Sequence, residues 1–172
     1  MGDPVAQSVD VENRSTSREG SEAGRERPSF RRMTLEDVPT VVAWERRLFP
    51  NPWAPQHFVA EITNTDVSVA LVMEWGGQFA GYAVAWIVAD ELHIANIAVV
   101  PKFRRRGVGR ATIEHLMHLA RHRGCTYAQL EVRASNTPAI ALYQKLGFRT
   151  VGVRRGYYEK PREDALVMAK EL

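Results

Sequence analysis

The chain has 172 residues, 45% hydrophobic and 25% charged, a balance that suits one globular domain with a substantial core. Its formal charge of +3 hides a split: residues 1–29 carry six acids and four arginines, a net −2, which leaves +5 on the rest. A single cysteine, Cys125, excludes an intramolecular disulfide and a multi-cysteine zinc site and fits a reducing cytoplasm; no apolar run nears the roughly 20 residues that cross a bilayer, and no signal-peptide h-region opens the sequence.

Residues 1–29 hold Ser, Glu, Arg and Gly with almost no large apolar side chain, so burial cannot offset the entropy of ordering them and a disordered tail is expected. The domain is expected over residues 30–172. Phe30 to Met33 reads as a strand, and Thr34 with Asp37 three residues on is a capping-box pattern. The helix that follows runs to about Arg47, with Leu35, Val38, Val41, Val42 and Leu48 on or near one face. Pro50 and Pro52 end it, and Pro55 begins a second helix through Ile62. Val67 to Glu74 and Phe79 to Val88 flank Gly76-Gly77 as an antiparallel hairpin, and Glu91 to Val100 is the next strand. A helix from about Val108 to Arg123 crosses over to a parallel strand, Tyr127 to Val132. Thr137 and Pro138 suit an N-cap and first position for a helix through Leu146, closed by Gly147. Strands over Arg149 to Arg155 and Ala165 to Lys170 finish the domain.

The stretch IANIAVVPKFRRRGVGR, Ile94 to Arg110, is the part most suggestive of chemistry. A strand runs into three arginines and a Gly-x-Gly that opens a helix. Gly107 and Gly109 allow a tight turn and close approach to a ligand. The orphan N–H groups of the first helical turn, the helix dipole and the side chains of Arg104, Arg105, Arg106 and Arg110 suit a pyrophosphate. A solvated basic turn is the plain alternative. No Gly-Lys-Ser or Gly-Lys-Thr follows, which excludes a P-loop. A dinucleotide fingerprint is closer, since Glu131 lies 22 residues beyond Gly109, near the spacing of a ribose-binding acid. Against it, Thr112 replaces the third small residue and the arginine run has no place in that motif.

Three motifs in order, Arg104-x-x-Gly107-x-Gly109, LEVRASN at Leu130 to Asn136 and ALYQKLGF at Ala141 to Phe148, resemble the GNAT superfamily of acetyl-CoA-dependent N-acetyltransferases. The likeness covers about residues 30–172. Within the superfamily it is greatest to the RimI type, bacterial enzymes that acetylate the N-terminal alanine of a small-subunit ribosomal protein. The resemblance implies an α/β (α+β) fold: a mixed, mostly antiparallel sheet of about seven strands with a splayed central parallel pair, flanked by about four helices.

It also implies roles for residues. Backbone groups of Ile97, Ala98 and Val99 would run beside the pantetheine arm of acetyl-CoA, and the loop Arg104, Arg105, Arg106, Gly107, Val108, Gly109 and Arg110 would hold its diphosphate. Asn136 would contact the cofactor. Glu131 matches the general base and Tyr143 the general acid, a group that also lies against the cofactor. Phe49, Pro50 and Trp53 would form one wall of the acceptor groove; Tyr157 and Tyr158, in GYYEKPREDA, would belong to the other. Plain alternatives stand beside them: a strand-end salt bridge for Glu131, with Arg133 as the candidate partner, a core aromatic for Tyr143, a helix cap for Asn136, a core edge for Trp53. His115, His118 and His122 have helical spacing but lack the carboxylates of a metal site, so no metal is expected. The expected partner is a protein or peptide N-terminus, that of a ribosomal protein first. Neither membrane nor nucleic acid is expected as a partner, and the chain should be a monomer or weak dimer in the cytoplasm. A lysine or small-molecule amine acceptor, a nucleotide-dependent oxidoreductase and a basic RNA-binding module stay open as alternatives.

Overall fold

The computed structural model describes residues 26–172. Most of the expected tail thus lies outside the described residues; within them, Glu26 accepts a hydrogen bond from Trp75 Nε1 at 2.5 Å. The strands are β1 (Ser29–Arg32), β2 (Ser68–Trp75), β3 (Gln78–Val88), β4 (Glu91–Val99), β5 (Tyr127–Arg133), β6 (Arg149–Glu159) and β7 (Arg162–Glu171). The helices are α1 (Val38–Leu48), α2 (Pro55–Thr63), α3 (Val108–His122) and α4 (Thr137–Lys145).

All seven strands form one sheet in the order β1-β2-β3-β4-β5-β7-β6, and β4 with β5 is its parallel pair. The other pairings are antiparallel. This is the mixed, seven-stranded, four-helix architecture that the sequence predicts. The sheet is covered on both faces. On one face, α3 supplies Ile113, Leu116, Met117 and Ala120, which pack with Leu92, Ile94, Leu130, Met168 and Phe148. On the other, Val38, Val41 and Val42 of α1 and Phe58 of α2 pack on Val72, Tyr82, Val84 and Ala98. Helical apolar spacing on α1 and α3 is therefore the imprint of these two contacts.

The capping box before α1 is present, with a short 3-10 turn over Leu35–Asp37. Arg31 forks onto both Asp37 oxygens at 2.8 Å and reaches Glu74 at 2.9 Å, tying β1 to this turn and to β2. Hydrogen bonding to Arg31 holds the Asp37 carboxyl below the usual range.

Three boundaries differ from expectation. The N-cap of α4 is Asn136, whose side chain accepts from Ala139 N–H at 3.3 Å; Thr137 and Pro138 are the first two helical residues. Asn136 wins because the next two residues already sit in the first turn, where a proline lacks only an orphan donor. Glycine at 147, with φ +90°, ends α4 as expected. The final hairpin is longer than predicted, β6 reaching Glu159 and β7 beginning at Arg162. Tyr157 and Tyr158 consequently lie inside β6 rather than between strands; charged and glycine residues in this stretch masked its strand pattern.

Candidate active site

The site begins where two strands part. β4 and β5 are paired from Glu91 with Tyr127 to Ile94 with Leu130, and no further. At the next residue β4 carries a bulge: Val84 of β3 faces Asn96 and Ala85 faces Ile94, so Ala95 is extra. An extra residue shifts the side-chain alternation by one. Leu92 and Ile94 point into the α3 core, whereas Ala98 points into the α1 core. Beyond the bulge, Ile97, Ala98 and Val99 pair with Ala83, Tyr82 and Gly81 on one side. Among the described residues their other side has no strand partner, which leaves an edge of main-chain donors and acceptors able to pair with an amide-bearing ligand. Gly81 keeps this edge in place by close approach, since a Cβ there would lie 2.2 Å from the Ala98 carbonyl oxygen and 2.4 Å from Met73 Cε.

The edge leads into the arginine loop. Arg104 Nε donates to the Val99 carbonyl at 3.1 Å. Gly107 takes φ +82° as the residue before α3, and Arg105 has φ +60°. Turn conformations of this kind can direct N–H groups to one side, as an anion-binding concavity requires. Among the described residues, no carbonyl outside the helices and strands accepts from the N–H groups of Arg105, Arg106 or Gly107. Not every arginine is equally available. Arg106 lies over the Trp75 ring at 5.7 Å, and Arg110 pairs with Glu114 at 2.9 Å one turn along α3. At Gly109 a Cβ would meet only ordinary contacts with Leu142 and Val99, so the demand for glycine falls on position 107.

Between the parted strands lies a cleft of about 500 Å³, lined by Ile94 to Ile97 of β4 and Leu130 to Arg133 of β5. Glu131 and Tyr143 both face it. The Glu131 side chain is only 8% exposed and is gripped from two sides. His93 Nε2 is 2.6 Å from Oε2, and an Arg154 guanidinium nitrogen is 3.2 Å from Oε1. Hydrogen bonding to His93, with a further contribution from Arg154, holds this carboxyl below its ordinary range. The plain alternative of a strand-end salt bridge is therefore present, but its partners are His93 and Arg154, not Arg133. Arg133 instead donates to the Lys160 and Pro161 carbonyls at 3.2 Å and stacks over Tyr158 at 4.1 Å, fastening the β6–β7 hairpin to the end of β5. Ser135 adds to this, with its hydroxyl 2.5 Å from Glu163.

Tyr143 is buried on α4, edge-on to Phe148. Its hydroxyl has no hydrogen-bond partner among the described residues, and burial pushes it up to about 12. It stays protonated and able to donate into the cleft. Asn136 also lines the cleft, so its capping role and its exposure to the cleft coexist.

The expected walls divide. Phe49, Pro50 and Trp53 line one side and Tyr158 the other, with Tyr158 also raised to about 12 by burial. Tyr157 is outside the lining; it is 49% exposed and packs against Tyr158 and Arg154. Ile97 reaches the cleft, while Ala98, Val99 and the loop from Arg104 to Arg110 lie beyond it along β4. The sequence reading missed His93, Arg154 and Glu45. Glu45 left a signal: it occupies the apolar face of α1 in step with Val38, Val41 and Val42. The three histidines of α3 gather no ligand set, and among the described residues no group of three or more metal-ligating side chains occurs. No helix among them is long and apolar enough to cross a membrane.

Residues 38–148 match the Acetyltransferase (GNAT) family. The ribosomal protein bS18-alanine N-acetyltransferase of Escherichia coli strain K12 is 40% identical over 135 residues, covering 77% of this chain and 90% of that protein. The crystal structure of the ribosomal-protein-S18-alanine N-acetyltransferase from Escherichia coli superposes with a TM-score of 0.76 at 36% identity, covering 84% of this chain and 94% of that one. Arabidopsis thaliana NAA60 in complex with acetyl-CoA shares the fold, with a TM-score of 0.76 at 22% identity over 85% of this chain and all of that one. With the family match spanning well over half its length, the chain belongs to the GNAT acetyltransferase family.

Proposed function

We propose that this protein transfers the acetyl group of acetyl-CoA to the N-terminal α-amine of a protein, with the N-terminal alanine of ribosomal protein bS18 as its principal acceptor in the cytoplasm. The observation that carries the reading is the parted β4–β5 pair, which sets a free main-chain edge beside a cleft whose lining includes the Glu131 carboxylate and the protonated Tyr143 phenol. The 40% identity to an enzyme named for this reaction supports the acceptor.

In this reading the N–H and C=O groups of Ile97 to Val99 hold the donor's amides as an added strand, and the N–H groups and arginines from Arg104 to Arg110 hold its diphosphate. An N–H of the edge polarises the thioester carbonyl. The acceptor nitrogen attacks that carbon directly; the N–C bond forms, the C–S bond breaks, and the departing sulfur takes a proton from Tyr143. Glu131 accepts the proton the amine sheds, directly or through one water, while His93 and Arg154 fix its orientation.

The environment of Glu131 favours an α-amine over a lysine ε-amine. A carboxyl held low by His93 and Arg154 is a weak base. It suits an amine whose reference pKa is about 7.7–8.0, already partly neutral, better than one near 10.4. The test is a panel of peptides that vary at residues one to three and each contain an internal lysine, with the acetyl position read by mass spectrometry. Acetyl on the α-amine, greatest for an N-terminal alanine, is expected; acetyl on lysine alone would overturn the assignment.

A further inference from the structure

Glu45 is 1% exposed on the face of α1 that otherwise carries valines against the sheet. Its carboxylate, which can only accept, gathers donors from three separate elements. Trp53 N–H donates to Oε1 at 3.0 Å, Asn96 Nδ2 lies 3.2 Å from each oxygen, and the Tyr82 hydroxyl donates to Oε2. No lysine, arginine or histidine contacts it among the described residues. A buried carboxylate without a cation is costly, and an apolar side chain of similar volume would serve stability as well or better. The location of its partners suggests what the charge is for. Trp53 belongs to the wall between α1 and α2, Asn96 is the first residue past the Ala95 bulge, and Tyr82 anchors the knot from β3.

We propose that Glu45 is a positioning residue for the acceptor. Its carboxylate fixes the Phe49–Trp53 wall at a set distance from the opened end of β4, so that an amine entering the cleft meets the reacting carbon. The inference rests on the acetyl-transfer reading above. Only a carboxylate accepts all these donors at once; a glutamine would either set an N–H2 group against the Trp53 main-chain N–H or make the Tyr82 hydroxyl reverse and accept.

The test is steady-state kinetics of Glu45→Gln and Tyr82→Phe, varying peptide and acetyl-CoA separately, with melting curves to select folded protein. Tyr82 is fully buried on β3 and outside the cleft lining, so its removal reaches the acceptor through Glu45. Glu45→Gln is expected to lower peptide kcat/KM about 10- to 100-fold, in line with the cost of a small misplacement. Tyr82→Phe should lose less, about threefold to tenfold, and the double variant should be no worse than Glu45→Gln alone. The KM for acetyl-CoA should stay within about twofold, because the donor is gripped further along β4. Unchanged peptide kcat/KM in both variants, or an equal loss on both substrates, would overturn the role; should Glu45→Gln not fold, Tyr82→Phe alone decides. A wild-type chain inactive on every α-amine peptide would instead sink the acetyl-transfer reading and this role with it.

Discussion

The two halves of the β4–β5 pair differ sharply. From Glu91 to Ile94 the strands are joined, with Leu92, Ile94 and Leu130 sealed into the α3 core. One residue later they separate and face a cleft. Ala95 makes the difference: an inserted residue reverses which way β4 presents its side chains and moves the strand from packing to presentation. On β5 the two settings meet at successive residues: Leu130 borders the cleft but buries its side chain in the α3 core, whereas Glu131 turns its carboxylate to the cleft.

Substituting these neighbours separates the two settings most strongly. Glu131→Gln is expected to lower kcat by about 10²–10⁴-fold with little change in the KM for acetyl-CoA, measured by thiol release at saturating peptide. Leu130→Ala should do the reverse. It removes about 2–5 kcal/mol of stability and lowers Tm by roughly 5–15 °C, yet folded enzyme at low temperature should keep its kcat. If Leu130→Ala abolished turnover in folded protein, the division would not hold.

A smaller effect is expected from Gly81→Ala, which strikes the far end of the opened half. The added methyl would press on the Ala98 carbonyl oxygen and displace the free edge, costing about 1–3 kcal/mol of strain. The KM for acetyl-CoA should rise about tenfold while peptide KM holds. Such a split would place the donor along Ile97 to Val99, and an unchanged acetyl-CoA KM would remove it from there.

The smallest expected effect is on acid stability. Glu131 has a folded-state pKa held low mainly by His93, so its ion pairs stabilise the protein fully above the unfolded carboxylate value of about 4.3. That contribution is lost as pH falls through the lower folded value. Wild type should therefore lose slightly more Tm than Glu131→Gln between about pH 5 and pH 3, a difference of roughly 1–3 °C by calorimetry. Parallel curves would mean that the pairing to His93 and Arg154 contributes no net stability.

The free β4 edge and the arginine loop were far more legible in the sequence than the cleft beside them. Their parts are contiguous from Ile94 to Arg110 and built largely from backbone, so glycine and arginine spacing reports them directly. Helices α1 and α3 were likewise readable because each has one apolar face and one core to meet. The cleft is assembled from residues far apart in the chain. Nothing local to Glu131 indicates that His93, 38 positions earlier, and Arg154 would close on it, because that meeting depends on the sheet order, which puts β4 next to β5 on one side and β6 across β7 on the other. The Ala95 bulge was hidden for a related reason: IANIAVV is apolar apart from Asn96, so a slip of one residue leaves little mark on its pattern. Glu45 could have been noticed, as a charge on an apolar helical face, but its partners could not.

The strand order has a consequence for how the molecule is made. β7 is synthesised after every other strand, yet it is threaded between β5 and β6 and ends with Leu172 N–H bonded to the Thr126 carbonyl at 2.8 Å. A growing polypeptide can join β7 to β6 as a local hairpin, but β5 gains this neighbour only when that hairpin docks on it, a longer-range closure of the kind that slows assembly. Shortening the C-terminus by even one strand would empty the middle of the sheet instead of trimming its border.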